Sequence, residues 1–324
     1  MFINRKQFVR LAAGAAAFGA TRSLFSLFAH AVHSASLAAS DYRSTRRFTA
    51  TEFGRIAYID RGKGKVALFL HGLPLNSYQW RGVIARVAKF RRCIAPDFLG
   101  LGYTEVNSGQ SVTPAAQVAM LVALLDRLSI KQVDLVANDS GGAAAQLFLA
   151  RHPERVRSIL LTNCDTEPDS PPTAVLPVIE LARAGKFADA WLDPWVADKD
   201  LARSPKGLGG IAYTYPDQIR DETIDYYLRP LVSTPERKAL TNAYAAGLAP
   251  NPLAGIEAAL KRCRVPARIV WGTGDDIFSQ ASPDYLDRIF TYSRGIARVP
   301  GAKLFFPEEF PELVADEALR LWNA

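Results

Sequence analysis

The 324-residue sequence is short of histidine. It has four, His30, His33, His71 and His152, and none beyond position 152. That leaves the second half of the chain without an imidazole base. Cysteine is equally sparse: Cys93, Cys164 and Cys263 are odd in number and widely spaced. They make neither a disulfide framework nor a metal-binding spacing, and each falls in or beside an apolar run, as a buried thiol would. No low-complexity tract and no internal repeat interrupts the chain. Acids are missing from the first 31 residues, where Arg5, Lys6, Arg10 and Arg22 lie. The formal charge of +7 therefore falls to +3 without that segment. No concentrated basic run follows, so nucleic-acid binding has little support.

What the N-terminus does contain is the pattern of an export signal. Basic residues at 5, 6 and 10 precede an apolar, small-residue stretch over 11–20, and Ala29-His30-Ala31 offers a small-x-small cleavage site. Arg5-Lys6 followed by Phe8 is similar to a twin-arginine signal with Lys6 as its second member. The expected partner is the twin-arginine or Sec export machinery, and the expected location is periplasmic or secreted. An apolar stretch this short falls below the roughly 20 residues a spanning helix needs, so no stable membrane anchor is expected after cleavage. An uncleaved helix on the membrane surface is the alternative.

From residue 45 the chain alternates strand and helix. Strands are expected over 47–50, 55–60, 65–70, 93–95, 133–137 and 155–162. Helices are expected over 78–88, from Thr113-Pro114 onward, and over 141–152. The second of these buries a stripe of Val118, Leu121, Val122, Leu125 and Leu128. The rhythm breaks at Asp165. Residues 166–250 carry Pro168, Pro171, Pro172 and Pro177, then helical stretches without a clear strand. It resumes with a helix over 252–263, a strand over 267–271, a helix over 282–290 and a strand over 295–299. A closing helix over 311–322 buries Val314, Ala318, Leu321 and Trp322. The fold class is therefore α/β, a mainly parallel sheet with helices on both faces. Its domains are a signal (1–31), a linker (32–44), a core (45–165 and 251–324) and a helical cap (166–250). The cap should lie over the carboxyl ends of the strands, where such sheets bind ligands.

The run Val133-Asp134-Leu135-Val136-Ala137-Asn138-Asp139-Ser140-Gly141-Gly142 organises the core. An apolar strand turns sharply into an alanine-rich helix. Small residues beside the turn let the backbones pass closely, and the central residue projects above the first helical N–H groups. With the strand ending at Ala137, the pattern small-x-nucleophile-x-small centres on Asp139. A frame centred on Ser140 needs Asn138 as a small flank, which fits poorly. Alone, the run would fit equally well a strand–helix junction with Asp139 as a plain helix cap.

Further motifs fall in order around it: His71-Gly72-x-Pro74, Asp97-x-x-Gly100-x-Gly102, Arg151-His152-Pro153-Glu154-Arg155-Val156 and Trp271-Gly272-x-x-Asp275. Over 45–165 and 250–324 the chain resembles the α/β-hydrolase superfamily, and an aspartate at the elbow resembles its haloalkane dehalogenase and epoxide hydrolase branch. The resemblance implies that Asp139 attacks an electrophilic carbon and forms an ester. It implies that the backbone N–H groups of Leu73 and Ser140 line the oxyanion or halide pocket, and that Asp275 orients a base. His71 would support the oxyanion loop, and Asp165 stands where some dehalogenases keep the acid. Tyr213, Tyr215, Tyr226, Tyr227 and Tyr244 would be candidate donors to an epoxide oxygen, most of them packing residues. The implied partner is a small-molecule substrate, with no cofactor and no metal.

The chain departs from that pattern at three positions, one of them the base. Leu304 stands where the family keeps its catalytic histidine, and a leucine accepts no proton. Asp275, or less readily Asp165, Glu308 or His71, would have to replace it. Ser140 and Leu73 likewise stand where dehalogenases carry side-chain donors. Three functions remain open: a hydrolase-like enzyme acting on a small, largely apolar alkyl halide, epoxide or ester with an atypical or missing base; a lyase, isomerase or cyclase in which Asp139 moves a proton; and a binding protein that has lost turnover.

Overall fold

A computed structural model describes residues 39–323. The signal expected over 1–31 lies outside the described residues, as does the linker up to residue 38. Nine strands form one sheet: β1 (Arg47–Thr51), β2 (Gly54–Arg61), β3 (Val66–Leu70), β4 (Arg92–Pro96), β5 (Glu105–Val106), β6 (Val133–Asp139), β7 (Val156–Cys164), β8 (Ala267–Gly272) and β9 (Ser293–Val299). Their order is β1-β2-β4-β3-β6-β7-β8-β9, with β5 beside β2. β2 runs antiparallel to β1, β4 and β5, and every pairing from β4 to β9 is parallel. β3 and β6 are buried at every residue, as expected of central parallel strands covered on both faces. They pair Val66 with Val133 through Leu70 with Ala137. From β3 the chain goes next to β4 on one side, while β6 adds on the other. The carboxyl ends of β3 and β6 therefore flank the switch in strand order, where open α/β sheets leave a crevice.

Several expected boundaries move. β6 continues past Ala137 through Asn138 and Asp139. The helix expected over 252–263 begins only at Glu257 (Glu257–Arg262). The Asn251 side chain accepts from the Leu253 N–H at 2.8 Å, and the Glu167 carboxylate accepts from the Gly255 and Glu257 N–H groups, so the preceding residues are held as turns. In the helix Pro114–Arg127, capped by the Thr113 hydroxyl, Val118, Leu121 and Leu125 are buried; Val122 and Leu128 are half-buried, and Met120 and Leu124 fill the core instead. Trp322 is half-buried rather than buried, with the Arg91 guanidinium 4.8 Å over its ring.

Between β7 and β8 the described chain forms helices, among them Leu176–Arg183, Asp193–Ala197, Leu208–Ala212, Asp221–Val232 and Pro235–Ala246, with a π-helical turn at Ala188–Leu192. This insert is bonded to the segment after β9. The Phe305 N–H donates to the Ala212 carbonyl at 2.9 Å, and the Lys303 N–H to the Thr214 hydroxyl at 3.1 Å. The Glu309 carboxylate accepts from the Thr214 and Tyr215 N–H groups at 3.0 and 2.8 Å. Beneath them Glu308 and Arg81 form a buried ion pair at 2.7 Å, and Glu308 also accepts from the Tyr213 and Tyr227 hydroxyls, each at 2.8 Å. Arg81 lies over the Tyr78 ring at 3.9 Å and is held charged by Glu308.

Removing one partner of a buried pair strands the other charge in a medium that cannot solvate it. Glu308→Ala is therefore expected to cost about 3–5 kcal/mol, measured by urea denaturation. A loss below about 1 kcal/mol, the range of exposed pairs, would mean that this contact does not hold insert to core.

Candidate active site

β6 delivers Asp139 to the start of the helix Ser140–Arg151 in a conformation that L-residues rarely adopt, φ +54° and ψ −140°. Strain of this kind costs on the order of 1–3 kcal/mol and persists only where the surroundings enforce it. They do so by proximity. A Cβ on Gly72 would sit 2.0 Å from Asp139 Oδ2, and one on Gly142 would sit 2.3 Å from the Cys164 Cβ. The backbone thus puts Asp139, and not Ser140, at the turn. Ser140 begins the helix, and its hydroxyl shares a hydrogen bond with the Tyr244 hydroxyl at 3.0 Å.

Asp139 forms one wall of a cavity of about 90 Å³. Leu73 and Pro74 come from the loop after β3, Val178, Trp191 and Trp195 from the insert, and Leu304 from the segment after β9. Asp139 is the only ionisable residue among the lining residues. Its carboxyl is pushed up to about 8, first by burial and then by the charge of Asp165; the N–H groups of Ser140 and Leu73 face it and oppose the rise. That opposition is incomplete, since Oδ2 is buried without a hydrogen-bond partner.

None of the other acids singled out in the sequence lines the cavity, though the charges of Asp165 and Asp275 act on Asp139. Asp275 Oδ2 accepts from Asn163 Nδ2 at 2.8 Å and its Oδ1 from the Ile277 N–H at 2.9 Å. Burial raises it to about 6. Asp165 Oδ1 accepts from the Ser170 hydroxyl at 2.7 Å, and burial raises that carboxyl to about 7. Glu308 is occupied by Arg81 and two tyrosines. His71 has both ring nitrogens engaged: Nε2 accepts from the Phe98 N–H at 3.1 Å and Nδ1 donates to the Gly72 carbonyl at 3.0 Å. Burial lowers its pKa, so it is a neutral brace under the Gly72–Leu73 loop. Among the described residues no group of acids, histidines and cysteines has metal-binding geometry. The five candidate tyrosines do not line the cavity either. Tyr213 and Tyr227 donate to Glu308, Tyr226 bonds Arg46 and Tyr244 bonds Ser140.

The α/β-hydrolase fold model matches residues 66–310, most of the chain, from β3 past Leu304. The chain belongs to the α/β-hydrolase fold family. Among curated relatives, a haloalkane dehalogenase of Mesorhizobium japonicum is 44% identical over 108 residues, covering 31% of this chain and 33% of that protein. A cis-3-alkyl-4-alkyloxetan-2-one decarboxylase of Shewanella oneidensis is 31% identical over 121 residues, covering 36% and 38%. The chain thus spans well under half the length of the curated relatives it matches. Among solved structures, an epoxide hydrolase without ligand superposes with a TM-score of 0.71 at 21% identity, over 86% of this chain and 99% of that one; this likeness is one of fold.

Within this α/β-hydrolase fold, one feature was not read from the sequence. A buried chain of side-chain amides runs behind Leu304. Gln79 Nε2 donates to Asn138 Oδ1 at 2.7 Å, and Asn138 Nδ2 donates to the carbonyls of Asn163 and Leu304, each at 3.1 Å. Asn163 in turn donates to Gly272 O and Asp275 and accepts from the Gly272 N–H. Asn138, a misfit as a small elbow flank, is thereby explained: its amide pins the Leu304 backbone next to the elbow. Asn163 supplies a partner to Asp275 Oδ2. Asn138 at the end of an apolar strand was the available signal, but its partners Gln79, Asn163 and Leu304 come from three separate segments. Asn163→Ala strips one bond from Asp275 and two from Gly272. A stability loss of about 1–3 kcal/mol is expected by denaturant unfolding.

Proposed function

We propose that this protein is an enzyme of hydrolase type in which Asp139 attacks a small, largely apolar electrophile of the alkyl halide, epoxide or ester kind. The observation that carries this reading is the position of Asp139: the sole ionisable residue lining a small apolar cavity, held at a strained turn with two backbone N–H groups facing its carboxyl. A carboxylate oxygen would bond to the electrophilic carbon while the leaving group departs with its electron pair. The N–H groups of Leu73 and Ser140 are placed to stabilise negative charge there. A cavity of about 90 Å³ is smaller than the roughly 150 Å³ that accommodates benzene, which favours short-chain substrates. The name of the dehalogenase relative agrees with the alkyl halide member of this class.

A second reading has its own support. A carboxyl raised to about 8 exchanges a proton readily near neutral pH, Leu304 offers no base to hydrolyse an ester, and one relative is named a decarboxylase. Asp139 would then act by proton transfer alone, without a covalent step. A binding protein with no chemistry is the third possibility, favoured by nothing beyond Leu304.

Intact mass spectrometry after incubation with short-chain alkyl halides, epoxides and activated esters separates them. A mass gain, mapped to Asp139, of the alkyl or acyl fragment of a halide or ester, or of the whole epoxide whose oxygen stays on it, is the expected result. Turnover with no trappable adduct would favour proton transfer. Neither adduct nor product, with the ligand still raising the melting temperature, would sink both enzymatic readings.

A further inference from the structure

A second cleft, of about 460 Å³, opens where the insert meets the core, and four arginines line it: Arg43, Arg46, Arg229 and Arg237. They are up to 194 positions apart in the sequence (Arg43 to Arg237), so no basic run marks the site. Arg229 is paired with Asp225 at 3.1 Å. Glu105, the one acid in the lining, is held by Arg55 through both carboxylate oxygens at 2.8 and 2.9 Å. Arg43, Arg46 and Arg237 have no carboxylate partner among the described residues.

Two of these three are fixed in place. The Arg46 guanidinium lies 3.3 Å over the Tyr103 ring and bonds the Tyr226 hydroxyl. Arg237 donates to the carbonyls of Pro230, Thr104 and Gly102 at 2.9, 2.9 and 2.6 Å, and burial lowers its pKa. Asp97, whose charge Arg237 and Tyr103 feel, uses its oxygens on the N–H groups of Ser77 and Tyr103. Arg46 and Arg237 therefore present preset planar donors to one cleft, one from the core and one from the insert, and Arg43 adds positive charge there. Surface arginines that merely solubilise a protein are mobile and solvated; Arg46 is instead stacked on Tyr103 and Arg237 bonded to three carbonyls, neither with a carboxylate partner among the described residues.

We propose that this cleft binds a tetrahedral oxyanion, phosphate or its monoester, and that the bound anion bridges insert and core. Guanidinium groups match such anions through paired, charge-assisted N–H donors. Occupancy would offset the cost of leaving half-buried Arg46 and Arg237 without a counter-ion. The anion would bond Arg46 on the core and Arg237 on the insert at once, so binding should stabilise the assembled fold.

The test is calorimetric titration of the full chain with inorganic phosphate and with glycerol phosphate, against chloride at matched ionic strength, alongside thermal melting. Saturable binding and a raised melting temperature are expected. Arg43→Gln removes an exposed side chain that makes no hydrogen bond or ion pair among the described residues, and should weaken binding about tenfold. Arg46→Gln should do the same, and Arg294→Gln, an exposed arginine elsewhere, should leave it unchanged. Equal binding of the two ligands names the free ion as occupant; tighter glycerol phosphate names an ester. No heat beyond chloride, or equal weakening by Arg43→Gln and Arg294→Gln, would overturn the proposal.

Discussion

Asp139→Asn should abolish covalent capture and turnover, by on the order of 10⁴-fold or more, while making the protein more stable at neutral pH. The two effects share a cause. The carboxyl is buried, and its pKa lies near 8 in the folded state against about 3.9 in an unfolded chain. Below pH 4 both states hold the proton and the group contributes no pH dependence. Between pH 4 and 8 the unfolded chain releases it and the folded protein keeps it. The folded state then binds more protons, and stability falls with rising pH by up to about 1.4 kcal/mol per unit. Above pH 8 both states have lost it and the slope vanishes. Asparagine has no proton to lose, so the variant should match the parent near pH 4 and exceed it by a few kcal/mol near pH 8. Asp165, Asp275 and Glu309, raised by burial to about 7, 6 and 7, act in the same direction and leave a residual slope. Urea unfolding of both proteins from pH 4 to 9 checks the sign. A variant less stable than the parent at pH 8 would mean that the Asp139 carboxylate is stabilised where it sits.

Close packing at the elbow explains why its geometry was legible in residue type. A strained, close-packed turn needs Gly72, Gly141 and Gly142, and a buried parallel strand needs an apolar run; both requirements are written in residue type. β3, β6 and the elbow could therefore be placed from local pattern alone. The strand's extension to Asp139 could not, because it depends on pairing with Cys164 across a register shift. β5 is two residues long and exists because Gly54 and Arg55 pair with Val106 and Glu105. The tyrosines illustrate a different limit. The resemblance makes them candidate donors to an epoxide oxygen, most of them packing residues; a phenol hydroxyl goes to whichever partner the tertiary structure brings, and for four of the five those are Glu308, Arg46 and Ser140. Likewise residue type says that Trp191 and Trp195 are apolar, but not that the π-helical turn before Asp193 brings both to the cavity with rings 5.5 Å apart.

Leu304→His is the complementary gain, and the geometry around residue 304 sets what it must achieve. Leu304 and Asp139 line the same cavity, and the Leu304 carbonyl is tied to Asn138, the residue just before Asp139. A new imidazole should therefore start from a fixed backbone within the same enclosure. A base in this position would accept a proton from water attacking an ester on Asp139, a step worth about 10²–10⁴-fold. Asp275 would orient it, but Asp275 Oδ2 already accepts from Asn163. The single variant should thus fall at the low end of that range, and releasing Asp275 with Asn163→Ala in the Leu304→His background should add to it if the fold survives. The rate should rise with pH through an imidazole pKa near 6.5, a signature that a merely loosened cavity would not produce. Single-turnover kinetics on a preformed adduct measure the step directly. A folded Leu304→His protein that releases its adduct no faster than the parent, at any pH from 6 to 9, would place the missing base somewhere other than residue 304.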